Sequence, residues 1–193
     1  MIFQPKIQHA INIATSCHRD HKRIGLNLPY IVHPYSVALI SAEYIEHEDV
    51  FCAALLHDVI EDSGEYSVEK MRQEFGDSVT LYVTSLTEEK TSSDSIETLR
   101  ENWEWRKQRY IDNLSKAPHE ALIICAADSI HNLQSLMELK KSHGEKFWSS
   151  FGSSMDKKML FYGKVLAQLR QSLSSPIVEK LGKVYDDAKE FLL

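Results

Sequence analysis

The run VFCAALLHDVIED sets four ionisable groups, His57, Asp58, Glu61 and Asp62, inside or at the end of an apolar helical stretch. An unpaired charge in such a place is expensive, so each group needs a partner. A divalent cation would satisfy His57 and Asp58 together. Glu61 and Asp62 follow at i+4 from His57 and Asp58, which in a helix sets them one turn further on along the same face. A competing reading makes LLHDVIED a helix end, with a solvated Glu-Asp pair and a histidine hydrogen-bonded in the core. Two further segments bear on the choice. His33 lies in PYIVHPYSVA, and Asp128 interrupts the apolar run IICAADSIHNL. Three separated, mostly apolar segments thus each offer a metal-ligating side chain. Two imidazoles with two carboxylates suit Mn, Fe or Zn better than Mg or Ca, which prefer all-oxygen shells.

The elements that must position these residues are helical. Glycine and proline are sparse, 7 and 5 in 193 residues, and apolar residues recur at helical spacing almost everywhere. The spacing predicts helices over about 5–19, from about 33, and over about 49–62, the last apolar on nearly every side and therefore buried. Ser63-Gly64 ends it. Shorter helices are expected over 67–75 and 77–86, then a charged aromatic helix, WEWRKQRYIDNL. Pro118, with Glu120 behind it, opens a long helix through Asp128. The last two are expected over 154–173 and 176–192, with Ser153 and Asp156 resembling a capping box. The polar, serine-rich stretch TEEKTSSDSIETLREN reads as a mobile loop.

A chain that is 43% hydrophobic, with no Pro/Gly/Ser-rich linker, suits one compact domain over residues 1–193. Its net charge of -6 argues against a general surface for a nucleic-acid polymer, while local basic clusters can hold a phosphorylated small molecule. Cys17, Cys52 and Cys125 lack CxxC spacing and read as reduced thiols, two of them in apolar runs. The first twenty residues lack the pattern of a signal peptide, and no apolar stretch approaches membrane-spanning length. The expected location is cytoplasmic, with no membrane partner. Trp103, Trp105 and Trp148 would serve an interface between copies, making an oligomer, or close the core.

The order His33, then His57-Asp58, then Asp128 resembles the pattern of the HD superfamily of metal-dependent phosphohydrolases. The surrounding words resemble the RelA/SpoT-type alarmone hydrolases more closely. PYIVHPYSVA is similar to their PYI-x-HP-x-x-VA, ALLHDVIEDS to ALLHDVVEDT, LTEEKT to VTDDKT, and AADSIHNL to LADKLYNL. These matches fall in one order across roughly residues 20–135. At this length the chain resembles the stand-alone, metazoan-type small hydrolases rather than the long bifunctional enzymes.

The resemblance implies an all-α, HD-type helical domain with a central buried metal site. By position it makes His33, His57, Asp58 and Asp128 the metal ligands, for Mn2+ first and Fe or Zn as alternatives. Glu61 and Asp62 match the acidic pair that positions and activates the attacking water. Lys22 and Arg23 fall in the basic segment that contacts the nucleotide, and Lys90 and Asn132 match residues facing the substrate. Beyond the resemblance, Tyr30 and Tyr35 read singly as ordinary core or boundary aromatics, with packing against guanine as the alternative. The implied reaction is hydrolysis of the 3′-pyrophosphate of ppGpp or pppGpp to GDP or GTP and pyrophosphate; the alternative is an HD phosphohydrolase acting on another nucleotide or phosphorylated small molecule. Three positions depart from the pattern. Ser129 stands in place of a lysine, Asn27 and Leu28 in place of glycine and threonine, and residues 92–101 form a polar insertion.

Overall fold

The structure is a computed structural model that describes residues 4–64, 66–88, 102–144 and 154–193. Helix α1 (Pro5–Cys17) starts with proline in its first turn, where no N–H is needed. A loop then turns back on itself through an isolated antiparallel bridge between Lys22 and Pro29. Arg23 N donates to Leu28 O at 2.9 Å and Tyr30 N to His21 O at 2.8 Å. The turn needs a left-handed residue, and Asn27 supplies it with φ 49. Asparagine tolerates that conformation nearly as glycine does, which explains how it stands where the related motif has glycine. Helix α2 (Val32–Ala42) follows, with His33 and Pro34 buried in its first turn.

Helix α3 (Glu48–Leu56) stops short of the expected 49–62 span, and a separate turn, α4 (Val59–Asp62), takes over. His57 and Asp58 lie between them, Asp58 with ψ -6. The break has a local cause. Ala54 O, which a continuing helix would pair with the N–H of Asp58, instead accepts from His57 Nδ1 at 2.7 Å.

Helix α5 (Val68–Thr84) is capped by Ser67, whose hydroxyl accepts from Lys70 N, and is broken at Gly76 as the two short expected helices required. Helix α6 (Trp103–Leu114) coincides with the charged aromatic run. Helix α7 (His119–His143) is the long helix after Pro118. Helices α8 (Met155–Ser172) and α9 (Pro176–Leu192) complete the chain. The cap of α8 is Ser154, accepting from Lys157 N at 3.4 Å, one residue later than expected. Ser153, Trp148, Lys90 and the insertion at 92–101 lie outside the described residues.

Two helices form the centre. Helix α3 packs against α1, α2, α5 and α7, while α7 also meets α2, α8 and α9. Their apolar residues are buried on nearly every side, Cys52 to Leu56 on one and Ala121 to Ala127 on the other. No helix among the described residues is long and apolar enough to cross a membrane.

Gly76 has φ 85 and ψ 177, with open space where a Cβ would stand. Gly76→Ala should therefore cost about 1–3 kcal/mol through backbone strain alone, without loss of any side-chain contact. Urea unfolding monitored by circular dichroism measures it; an unchanged midpoint would show that the two halves of α5 can realign.

Candidate metal centre

Four side chains from three elements converge where α3, α2 and α7 meet. His57 and Asp58 sit at the break after α3, His33 in the first turn of α2, and Asp128 in the middle of α7. His57 Nε2 lies 3.0 Å from Asp58 Oδ2 and 3.9 Å from Asp128 Oδ1. His33 Nε2 lies 3.1 Å from Asp128 Oδ1 and 3.5 Å from Asp58 Oδ2. Ligand atoms held about 2.1 Å from a shared ion stand roughly 3.0 to 3.4 Å apart at right-angle and tetrahedral positions. The 3.0 and 3.1 Å spacings fall in that range, while 3.5 and 3.9 Å are wider.

The tautomers decide what these atoms need. Ala54 O can only accept, so His57 Nδ1 carries the proton in that 2.7 Å bond. Nε2 of the neutral ring is then a bare lone pair, buried and without a hydrogen-bond partner, facing a carboxylate oxygen 3.0 Å away. Two electron-rich atoms at that distance require a proton or a cation between them. Without a cation the proton serves. Burial opposes a charged His57, but the Asp58 carboxylate outweighs it and lifts the ring to about 9. Burial likewise works against the Asp58 carboxylate, yet His57, His33 and the Tyr30 hydroxyl hold it well below the usual carboxylate range. Asp128 is lowered too, against burial, chiefly by its hydrogen bond with His33. The residues thus fit a divalent cation, with His33, His57 and Asp58 offering atoms that all lie within 4.8 Å of one another.

A second layer orients the ligands. Tyr30 donates its hydroxyl to Asp58 Oδ2 at 2.6 Å, and Asn132 Nδ2 donates to Asp128 Oδ1 at 2.6 Å. His33 Nδ1 faces His131 Nδ1 at 2.7 Å. Burial keeps His131 neutral by lowering it to about 4, so its Nδ1 can accept from His33 Nδ1. His131 was missed in the sequence, although its i+3 spacing from Asp128 puts it on the same face.

Two chambers open beside this cluster. The inner one, about 180 Å³, is lined by the four candidate ligands together with Glu61, Glu88, Lys107, Ser129 and Asn132. The outer one, about 420 Å³, is basic, with Lys22, Arg23, Lys107 and Lys158 in its wall. Tyr30, Lys107, Asn132 and Tyr162 line both. Arg23 is fixed by bonds to Asn132 Oδ1 and Ser135 Oγ, both 3.1 Å, and lies over the Tyr30 ring. Lys22 is exposed and donates to Asn27. Burial, and then Lys107, lower the Lys158 ammonium to about 8. Lys107 itself pairs with Glu88, which also accepts from Arg106 at 2.8 Å. Neither Lys107 nor Lys158 was singled out in the sequence. Half-buried Lys158 stands beside buried Met155 and Met159 on α8, and that juxtaposition was the available signal.

The acidic pair separates. Glu61 lines the inner chamber and its Oε1 accepts from Glu88 N at 2.5 Å. Asp62 is exposed and groups instead with His18 and His21. Tyr35 binds Thr15 at 2.8 Å and lines neither chamber. Cys125 lines the inner chamber, but burial pushes its thiol up to about 12, which makes it inert at neutral pH.

The fold and this centre belong together in a known class. The HD domain model matches residues 10–149, so the chain belongs to the HD domain family. It is 35% identical over 145 residues, 73% of this chain, to the GTP pyrophosphokinase of Streptomyces coelicolor, of which the match spans only 16%. It is 30% identical over 129 residues to the guanosine-3′,5′-bis(diphosphate) 3′-pyrophosphohydrolase of Danio rerio, covering 65% of this chain and 66% of that one. Among solved structures it is similar to a metazoan ortholog of SpoT described as hydrolysing ppGpp and acting in starvation responses. That similarity has a TM-score of 0.76 at 27% identity and covers 97% of both chains.

Two measurements test the centre. Because His57 holds a proton below about pH 9 in the cation-free chain, loading with Mn2+ at pH 7.5 should release close to one proton, and affinity should fall as pH falls. Calorimetry in two buffers of different ionisation enthalpy counts the proton; none released would remove His57 from the ligand set. His131→Phe should weaken Mn2+ binding about 10- to 100-fold by freeing the His33 ring. Unchanged affinity would show that His33 is held by packing alone.

Proposed function

We propose that this chain hydrolyses the 3′-pyrophosphate of ppGpp or pppGpp, giving GDP or GTP and pyrophosphate. His33, His57, Asp58 and Asp128 hold one divalent ion, Mn2+ before Fe or Zn. The observation that carries the proposal is the pairing of the two chambers: ligand atoms spaced for a cation in one, and Arg23, Lys22 and Lys158 in the wall of the other. A nucleotide with phosphate on two sides of its ribose spans such a pair, one diphosphate at the centre and the other among the basic side chains. The relatives named for ppGpp hydrolysis support the same substrate.

The bound ion would act as a Lewis acid on the phosphate and ease deprotonation of water. The residues do the remainder. Glu61, held in place by the Glu88 backbone N–H, orients the attacking water and takes its proton. Water adds to the phosphorus bonded to O3′, the P–O3′ bond breaks, and O3′ leaves as a hydroxyl after taking a proton from solvent. Lys107 and Asn132, at the boundary of the chambers, bear on the phosphate oxygens. Arg23 holds the nucleotide, with the Tyr30 ring beneath it. Asp62 adds negative charge beside Tyr30 rather than inside the chamber. Lys90, matched to the substrate by sequence resemblance, keeps that role in the proposal.

The deciding experiment offers the Mn2+-loaded chain a panel of ppGpp, pppGpp, GTP, NADPH and other phosphorylated nucleotides, and follows the products by ion-exchange chromatography. Release of pyrophosphate from ppGpp or pppGpp, and from no other member of the panel, supports the reading; preference for another member replaces it with that substrate. Glu61→Gln should keep metal content and ppGpp affinity while turnover falls about 10²- to 10⁴-fold. Arg23→Ala should raise KM, with less effect at high salt. Single-turnover rates of Glu61→Gln within a few-fold of the parent would return that carboxylate to a structural role.

A further inference from the structure

We propose that His18, His21 and Asp62 form a second cation site, which takes a borderline divalent transition metal such as Zn2+ or Co2+ in addition to the ion held near Asp58. One ligand atom from each residue lies within 4.8 Å of the other two. His18 Nδ1 and His21 Nδ1 face each other at 3.2 Å, within the 3.0 to 3.9 Å that separates candidate ligand atoms in the first centre. The set is two imidazoles and one carboxylate, a combination that binds transition metals and leaves positions open.

Three elements supply it. His18 closes α1, His21 stands three residues later in the bridged loop, and Asp62 ends α4. The group shares no residue with the first centre. Tyr30 stands between the two, its ring 4.8 Å from His18, 6.4 Å from His21 and 5.6 Å from His33, while its hydroxyl is committed to Asp58. The two sites are therefore separate neighbours across one aromatic wall.

Sharing a proton between the two imidazoles accounts poorly for the arrangement. His18 is 1% exposed and its Nε2 is buried without a partner. If His18 Nδ1 donates, Nε2 is a bare acceptor in an apolar setting; if it accepts, Nε2–H is a donor with nowhere to go. Either tautomer buries an unsatisfied nitrogen, which costs more than one neutral hydrogen bond returns. A cation on Nδ1 leaves Nε2 carrying the proton and replaces the neutral hydrogen bond between the rings with a stronger coordinate bond, which offsets that cost. His21 is half-buried and Asp62 exposed, so solvent reaches the open side and the ion exchanges from there. None of this depends on which phosphate ester the chain hydrolyses.

The test counts metal. The full chain is stripped with a chelator, equilibrated with excess Zn2+, desalted and analysed by mass spectrometry, with Co2+ absorption as a second readout. The expected content is about two ions in the parent and about one each in His21→Ala and in Asp58→Asn. His21 is half-buried, so the substitution leaves the core intact, and circular dichroism checks that it does; His21→Gln gives a second variant that keeps a polar group. One ion in the parent that survives in His21→Ala overturns the proposal and leaves the first centre standing. Two ions retained in both His21 variants overturn it as well. One ion in the parent that is lost in His21→Ala but kept in Asp58→Asn upholds this site and instead overturns the ligand set around Asp58.

Discussion

The hydrogen bond from His57 Nδ1 to Ala54 O is the constraint on which the rest of the structure turns. It takes a carbonyl away from the helix ladder, so α3 ends and α4 begins. It also fixes the tautomer, leaving Nε2 bare and aimed at the Asp58 carboxylate. From that point the interior holds electron-rich atoms that repel unless positive charge lies among them. The surrounding helices are the means of holding them there. Helices α3 and α7 are buried along nearly their whole apolar length, and that burial is what keeps the imidazoles and carboxylates from moving apart.

Charge is sorted between the two chambers. Carboxylates gather in the inner one, where Lys107 answers Glu88 at its edge. The outer one gathers Arg23, Lys22 and Lys158 on a chain whose net charge is -6. Lys158 joins them half-buried, its ammonium lowered to about 8 by burial and then by Lys107.

Much of this was legible in the sequence, and for identifiable reasons. The helices were readable because apolar spacing at period 3.6 is strong wherever one face is buried; α6 and the break at Gly76 came out as expected. The four candidate ligands stood out because an ionisable residue in an apolar run must find a partner, and the structure brings their side chains together. The interruption at His57-Asp58 was not, since it depends on a side chain competing for a backbone carbonyl, which spacing does not encode. The parting of Glu61 from Asp62 was hidden as well. Adjacent helical residues point about 100° apart, and only the packing around them settles which one enters a chamber. His131, Lys107 and Lys158 were overlooked because each gains its meaning from a partner far away in the chain.

Helix α7 carries Asp128 at the inner chamber and Ser135, Leu136 and Leu139 at the outer. The loop bearing Arg23 is clamped to the same helix, for a Cβ at Gly25 would come within 2.7 Å of Leu139. Both ends of the cavity are therefore marked on one rigid rod. From Asp128 to Leu139 is eleven residues, a rise of about 16 Å. One helix therefore fixes the distance between the candidate ligand Asp128 and the apolar far wall of the outer chamber, whatever molecule fills the space between them.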